Sequence, residues 1–321
     1  MKAIVRTTYG PPEVLELAEI DKPVPAEDEV LVRVRATSVN PVDWHTLTGT
    51  PYLLRLQEGL RGPKSEQLGV DFAGTVEAVG ANVTGVQPGD DVFGGRSGAF
   101  AEYVSVRDAV VRKPPNLSFE QAAAVPIAGL TALQGLRDKG GLQSGQKVLI
   151  NGASGGVGTF AMQIGKALGA EVTGVCSTRN VGQARSLGAD RVIDYTQEDF
   201  TRSGERYDVL LDIAGNRTWK ELTRVLADEA TLVLVGGPKT NRWIGPMGHL
   251  ANLKLHSLGR SRRVAPFLAK LNKDDLESLG KLLEDGSVTP VVERRYELGE
   301  TADALSYLGE GHAQGKIVLT V

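Results

Sequence analysis

Apolar and polar residues alternate in short runs over roughly the first 124 positions. The clearest runs are at 2–6, 28–39, 73–80, 90–94 and 100–106, and period-two alternation predicts half-buried strands. Between them lie turn signals such as Gln87-Pro88-Gly89-Asp90, where Pro presets φ and Gly accepts a positive φ. The expected module is β-rich and barrel-like. From about residue 125 the pattern changes to continuous apolar runs alternating with amphipathic ones. Val148–Ile150 and Val209–Ile213 are almost wholly apolar, as strands are when helices cover both faces of a parallel sheet. Helices are expected over 158–169, 183–188 and 219–227, with further strands at 171–176, 191–195 and 231–237. The series stops near 266, and a helix, a strand, a second helix and a final strand remain. The predicted fold is α/β, with a β-rich domain over 1–124 completed by 266–321 and a doubly wound parallel-sheet domain over 125–265.

Composition narrows the classes. A chain of 321 residues exceeds what one hydrophobic core usually supports. The formal net charge of −3 offers no basic stripe for nucleic acid. No stretch reaches the ~20 apolar residues of a membrane span, so no membrane partner is expected. The single cysteine, Cys176, excludes an intrachain disulfide, and the first ten residues show no apolar signal core. A cytoplasmic location is expected.

The strongest local motif is Asn151-Gly152-Ala153-Ser154-Gly155-Gly156-Val157-Gly158. It follows an apolar strand and opens an amphipathic helix, where backbone amides can approach a pyrophosphate at the helix's positive pole. The same glycines also suit a plain strand-to-helix turn, but their setting in a βαβ series favours a dinucleotide held by Ser154, Gly155, Gly156, Val157 and Gly158. At the end of the next strand, Val175-Cys176-Ser177-Thr178-Arg179 lacks the carboxylate that usually holds an NAD ribose. The Ser177 hydroxyl and Arg179 guanidinium suit a 2′-phosphate instead, so NADPH is the expected cofactor. The alternative is a solvated turn with an incidental arginine. Tyr195, the 212–215 strand end and Gly236-Gly237 complete the expected rim, although Tyr195 also reads as a surface aromatic and the glycine pair as a simple turn.

Ser38-Val39-Asn40-Pro41-Val42-Asp43, Gly69-Val70-Asp71-Phe72-Ala73-Gly74, Pro88-Gly89-Asp90-Asp91-Val92-Phe93-Gly94 and Gly98-Ala99-Phe100-Ala101-Glu102-Tyr103 follow one another in the first domain. With the glycine loop and a terminal Gly315-Lys316-Ile317-Val318, this order resembles the zinc-independent quinone oxidoreductases of the medium-chain dehydrogenase/reductase superfamily. It is similar in particular to bacterial relatives of the mitochondrial reticulon-interacting reductases. The resemblance spans essentially the whole chain and implies a GroES-like catalytic domain into which a Rossmann domain is inserted.

Zinc alcohol dehydrogenases of that superfamily carry a Cys at the position of Asn40, a His at that of Val70 and a Cys or Asp near Ile127. None of these residues is a usable ligand here, and one cysteine cannot supply a four-cysteine structural site. No metal is expected. Without it unactivated alcohols are poor substrates, whereas a quinone or α,β-unsaturated ketone delocalises the charge that hydride delivers. The resemblance implies Asn40, Asp43 and Tyr52 as catalytic candidates; Asn40 and Asp43 read equally as caps of the turn around Pro41. It also brings His312 and Lys316 towards the cofactor, against a helix-end histidine and a snorkelling lysine. Cys176 reads as an inert core thiol. Two alternatives stay open: an enoyl-thioester reductase, for which Arg55, Arg61 and Lys64 would line a groove, and an NADPH-binding sensor with vestigial activity. A homodimer is expected through a sheet edge near 231–236 or 254–258.

Overall fold

The structure is a computed structural model that describes residues 1–237, 241–245, 247–257, 261–311 and 313–321. It divides into two compact units, 1–128 with 271–286 and 290–321, and 129–270 with 287–289. The expected boundaries at 124 and 266 thus compare with 128 and 271.

The first unit begins with β1 (Lys2–Val5), β2 (Glu16–Glu19), β3 (Val30–Val39), β4 (Asp71–Val79), β5 (Asp91–Gly95), β6 (Tyr103–Val106) and β7 (Val110–Arg112). In β3 the valines at 30, 32 and 34 are buried while Arg33 and Arg35 are exposed, the alternation of a strand with one face on a core. Val30, Val32, Val34, Phe72, Val76, Val92 and Val104 form one core cluster of this unit.

The second unit holds β8 (Lys147–Asn151), β9 (Glu171–Cys176), β10 (Arg191–Asp194), β11 (Tyr207–Asp212), β12 (Leu226–Leu234) and β13 (Arg263–Pro266). All pair in parallel in the order β10-β9-β8-β11-β12-β13. That order reverses between β8 and β11, the crevice where doubly wound sheets take ligands. Leu149, Val175, Ile193, Phe200, Leu210, Leu232 and Leu253 pack in its core. The chain returns to the first unit at residue 271 with the helix Lys273–Glu284 and, after 290, adds β14 (Val292–Glu297) and β15 (Lys316–Thr320). The large first-unit sheet then runs β14-β15-β3-β4-β5-β7, with β6 on β3.

Several expected elements differ. The helix expected over 219–227 covers only Trp219–Leu222, because β12 already begins at Leu226 and pairs there with Tyr207. The helices Pro126–Leu133 and Met247–Ser257, the six-residue π-helix Gln134–Lys139 and strand β13 add to the elements that the sequence pattern predicts. Residues 231–234 lie in β12, which is flanked by β11 and β13 and is not a sheet edge. The other expected edge, from Lys254, lies in the helix Met247–Ser257, and Leu258 falls outside the described residues. Among the described residues no helix is long and apolar enough to cross a membrane.

Candidate active site

In the first unit three strand ends converge. The helix Pro41–Thr48 starts directly after β3, with Pro41 at its first turn and Gly49 at φ 59° closing it. The Asp43 carboxylate accepts the Asn40 backbone N–H at 2.7 Å, so Asp43 does cap this turn. The Asn40 side chain turns the other way: its Nδ2 donates to Asp71 Oδ2 at 2.8 Å and to the Ser38 carbonyl at 3.3 Å, and its Oδ1 accepts from Lys316 Nζ. Both amide hydrogens of Asn40 are therefore engaged, and the residue is buried. Asp71, at the start of β4, also accepts from Ser38 Oγ at 2.9 Å and from the Ile127 N–H at 3.0 Å. Of the positions at which zinc relatives place ligands, 40 contacts the Asp71 carboxylate and the Lys316 ammonium through its side chain, and 127 contacts Asp71 through its N–H.

Lys316 is 4% exposed, so it does not snorkel. Its three ammonium hydrogens meet Asn40 Oδ1, the Val39 carbonyl at 3.3 Å and Asp71 Oδ2 at 3.4 Å. Burying such ions costs on the order of several kcal/mol each and is offset only when every donor finds an acceptor. Two carboxylates face one ammonium, and the imbalance shows in Asp43. Burial first, then the charge of Asp71, pushes its carboxyl up to about 8. Burial likewise draws the Lys316 ammonium below its ordinary value, against the pull of both aspartates.

Tyr52 opens a short 3-10 turn to Leu54 beyond that helix. The Arg55 guanidinium lies over its ring at 4.7 Å and over that of Tyr9 at 4.5 Å, and donates to the Gly49 carbonyl at 3.0 Å. Arg55 is thereby tied into the loop's own packing, while Arg61 and Lys64 are exposed.

In the second unit the glycine loop joins β8 to the helix Gly156–Ala167, whose N-cap is Gly155 and which has no side-chain cap. The amides of Gly156, Val157 and Gly158 form its first turn, where N–H groups lack intrahelical acceptors. The glycines are required by space. A Cβ on Gly158 would lie 2.1 Å from the Gly152 carbonyl oxygen, and Gly152 itself sits at φ +100°. Ser154 is half-buried in this loop. At the switch point, Asn151 Nδ2 donates to Asp212 Oδ1 at 2.8 Å, as does the Gly215 N–H at 2.8 Å. Burial raises the Asp212 carboxyl above the usual carboxylate range. Gly236 and Gly237 lie where the ends of β11 and β12 cross: a Cβ on Gly236 would meet the Ile213 carbonyl oxygen at 1.9 Å, and one on Gly215 would meet Gly237 Cα at 2.4 Å. An uncapped helix terminus beside a glycine-rich loop fits a dinucleotide pyrophosphate.

Ser177 is half-buried and its hydroxyl accepts from Asn180 Nδ2 at 3.1 Å; Arg179 is exposed. Tyr195 is exposed, and its N–H donates to the Cys176 carbonyl at 3.0 Å. The stretch 175–179 itself carries no carboxylate, but the neighbouring strand brings one to it. β10 pairs in register with β9, setting Asp194 opposite Cys176, and Asp194 accepts from the Thr178 hydroxyl. That bond, ahead of those from Thr196, holds Asp194 below the ordinary carboxylate value. The carboxylate arrives from the neighbouring strand, 16 residues along the chain. Cys176 is buried and burial pushes its thiol up to about 11. His312 lies outside the described residues.

Two family models match the chain. Residues 26–116 match the alcohol dehydrogenase GroES-like domain and 187–319 the zinc-binding dehydrogenase domain. The chain is 33% identical to 2-methylene-furan-3-one reductase of Solanum lycopersicum, over 99% of this chain and 79% of that one. It is 34% identical to mitochondrial NAD(P)H oxidoreductase RTN4IP1 of Mus musculus, over 100% and 89%. Among solved structures, Escherichia coli quinone oxidoreductase complexed with NADPH superposes with a TM-score of 0.82 at 27% identity, over 100% of both chains. The chain belongs to the quinone oxidoreductase-like branch of the medium-chain dehydrogenase/reductase superfamily.

Proposed function

We propose that the protein is a metal-independent, NADPH-dependent oxidoreductase that reduces a quinone or an α,β-unsaturated carbonyl. The observation that carries this reading is the cluster Asn40, Asp43, Asp71 and Lys316, in which an ammonium and hydrogen-bond donors fill the place where a Lewis acid would need ligands. The family name mentions zinc, yet the residues at positions 40, 70 and 127 are Asn, Val and Ile. NADPH, when bound, supplies the hydride. The chain's own residues hold it: the amides of Gly155, Gly156, Val157 and Gly158 with Ser154 take the pyrophosphate, Ser177, Arg179 and Tyr195 take the 2′-phosphate, and Gly236 and Gly237 leave room at the rim. Asn40, Asp43 and Tyr52 belong to the acceptor side. Asn40 has no free amide hydrogen, so its part is to hold Asp71 and Lys316 in place rather than to donate to an acceptor. Asp43, its carboxyl pushed up by burial and by the charge of Asp71, stands next to Asn40.

The preference for NADPH rests on Arg179 and Ser177 outweighing Asp194, an arrangement in which one guanidinium can fork onto a phosphate. The experiment is steady-state NADPH oxidation with a small quinone or enone, against NADH. Acceptor-dependent oxidation faster with NADPH supports the reading; NADPH binding without turnover favours a sensor. The reading also includes a cytoplasmic homodimer that pairs through the outer edge of β13, to be checked by light scattering of the purified protein.

A further inference from the structure

The contacts of Lys316 assign it more than a place in the core. It is the first residue of β15, near the chain's C-terminus, yet it reaches the N-terminal turn of the helix that follows β3. The register makes this possible, since Ile317 pairs with Val39 and Val318 with Ser38. The side chain of residue 316 therefore falls beside the residue after β3, which is Asn40. No other cation contacts this cluster among the described residues. The Ser38 carbonyl and the Asp71 carboxylate are both acceptors and hold the Asn40 NH2, so its oxygen needs a donor of its own. An ammonium on one side and the Asp71 carboxylate on the other fix its oxygen and its nitrogen.

We propose that Lys316 is a positioning residue for acceptor reduction: its ammonium fixes the Asn40 carboxamide and the Asp71 carboxylate, and with them the first turn of helix Pro41–Thr48. This rests on the reductase reading above. The charge is the operative feature, because a methionine would fill a similar volume but leave Asp71 without a counter-ion and the Asn40 Oδ1 without a donor. Truncation to alanine removes a propylammonium-sized portion of the side chain and leaves three oxygens, from Asn40, Val39 and Asp71, facing the gap. A small primary ammonium matches that gap in size, charge and donor number.

The test uses the full chain with Lys316→Ala, Lys316→Met and the neutral double variant Asp71→Asn with Lys316→Met. All three should lose about tenfold or more in kcat, a drop in line with displaced reacting groups, while the NADPH dissociation constant stays within about twofold because the glycine loop is untouched. Millimolar n-propylammonium chloride should restore rate to Lys316→Ala and leave Lys316→Met unchanged; tetramethylammonium, which has no N–H, should restore neither. A folded Lys316→Ala that gains nothing from propylammonium overturns the proposal, as does a double variant as fast as the parent. Loss of fold in both of these variants overturns it too, because the pair would then serve the fold rather than the site. The Asn40 side-chain amide resonances give a readout without turnover: they should shift in Lys316→Ala and return with propylammonium. A parent enzyme with no acceptor-dependent rate refutes the reductase reading on its own, and is recognised before any variant is compared.

Discussion

Gly158→Ala tests the account of the cofactor loop at its tightest point. A Cβ there would lie 2.1 Å from the Gly152 oxygen and 2.6 and 2.7 Å from the carbonyl carbon and Cα of Ala153. These are backbone atoms, so no side chain can swing aside. Reaching ordinary contact requires the helix start and the loop to part by about 1.3 Å. Overpacking of this kind costs about 1–3 kcal/mol of stability, and a shift of about 1 Å in positioning groups is worth up to about a hundredfold in function. The expected result is an NADPH dissociation constant raised by about 10- to 100-fold, read by quenching of protein fluorescence on titration. The control is Gly182→Ala, where a Cβ meets nothing within 4 Å. It lies in the helix Val181–Ser186, so alanine should stabilise slightly and leave binding alone. A folded Gly158→Ala that binds NADPH within twofold of the parent would refute the argument that those amides hold the pyrophosphate.

At the other end of the cofactor, Arg179→Ala should lower the NADPH to NADH preference by about tenfold. Asp194→Asn should raise it by relieving repulsion, and the two kcat/KM ratios check both. Asp43 gives a pH signature. Its folded carboxyl, near 8 against an ordinary 3.8, retains a proton that the unfolded chain releases, so its contribution to stability falls as pH rises from about 4 to about 8. Asp43→Asn should therefore gain stability relative to the parent across that window in urea titrations, and a difference independent of pH would count against it. The depressed Lys316 acts with the opposite sign at alkaline pH, below 10.5. Cys176, with its thiol near 11, should resist Ellman's reagent at pH 8 until the protein is unfolded; fast reaction in the native state would contradict its burial.

The two-domain order and the glycine loop were legible because each rests on local signals: period-two alternation, continuous apolar strands, and glycines at a strand-to-helix turn. What was not legible depends on register between distant segments. Lys316 reads as an ordinary residue at a strand start until β15 pairs with β3 and sets it beside Asn40. Asp71 appears in the Gly69–Gly74 motif, yet nothing in its neighbours says that it accepts from Ser38, Asn40, Lys316 and Ile127. Asp194 is not legible from the end of β9, because a parallel sheet lays successive strand ends side by side only once it is folded. The short strand β13 was hidden by its composition, Arg263-Val264-Ala265-Pro266, since Pro and Arg suit an edge but give no apolar run. The helix after Trp219 ended early because Val225 and Leu226 are claimed by β11 pairing.

The central claim is hydride transfer from NADPH to an activated acceptor without a metal. Its most direct test is NADPH oxidation followed at 340 nm with a small quinone and, separately, an enone, each before and after prolonged treatment with a strong chelator and metal analysis of the protein. The account predicts acceptor-dependent oxidation that is unchanged by the chelator in protein carrying no stoichiometric zinc. Activity that disappears with the chelator and returns with added zinc would contradict it.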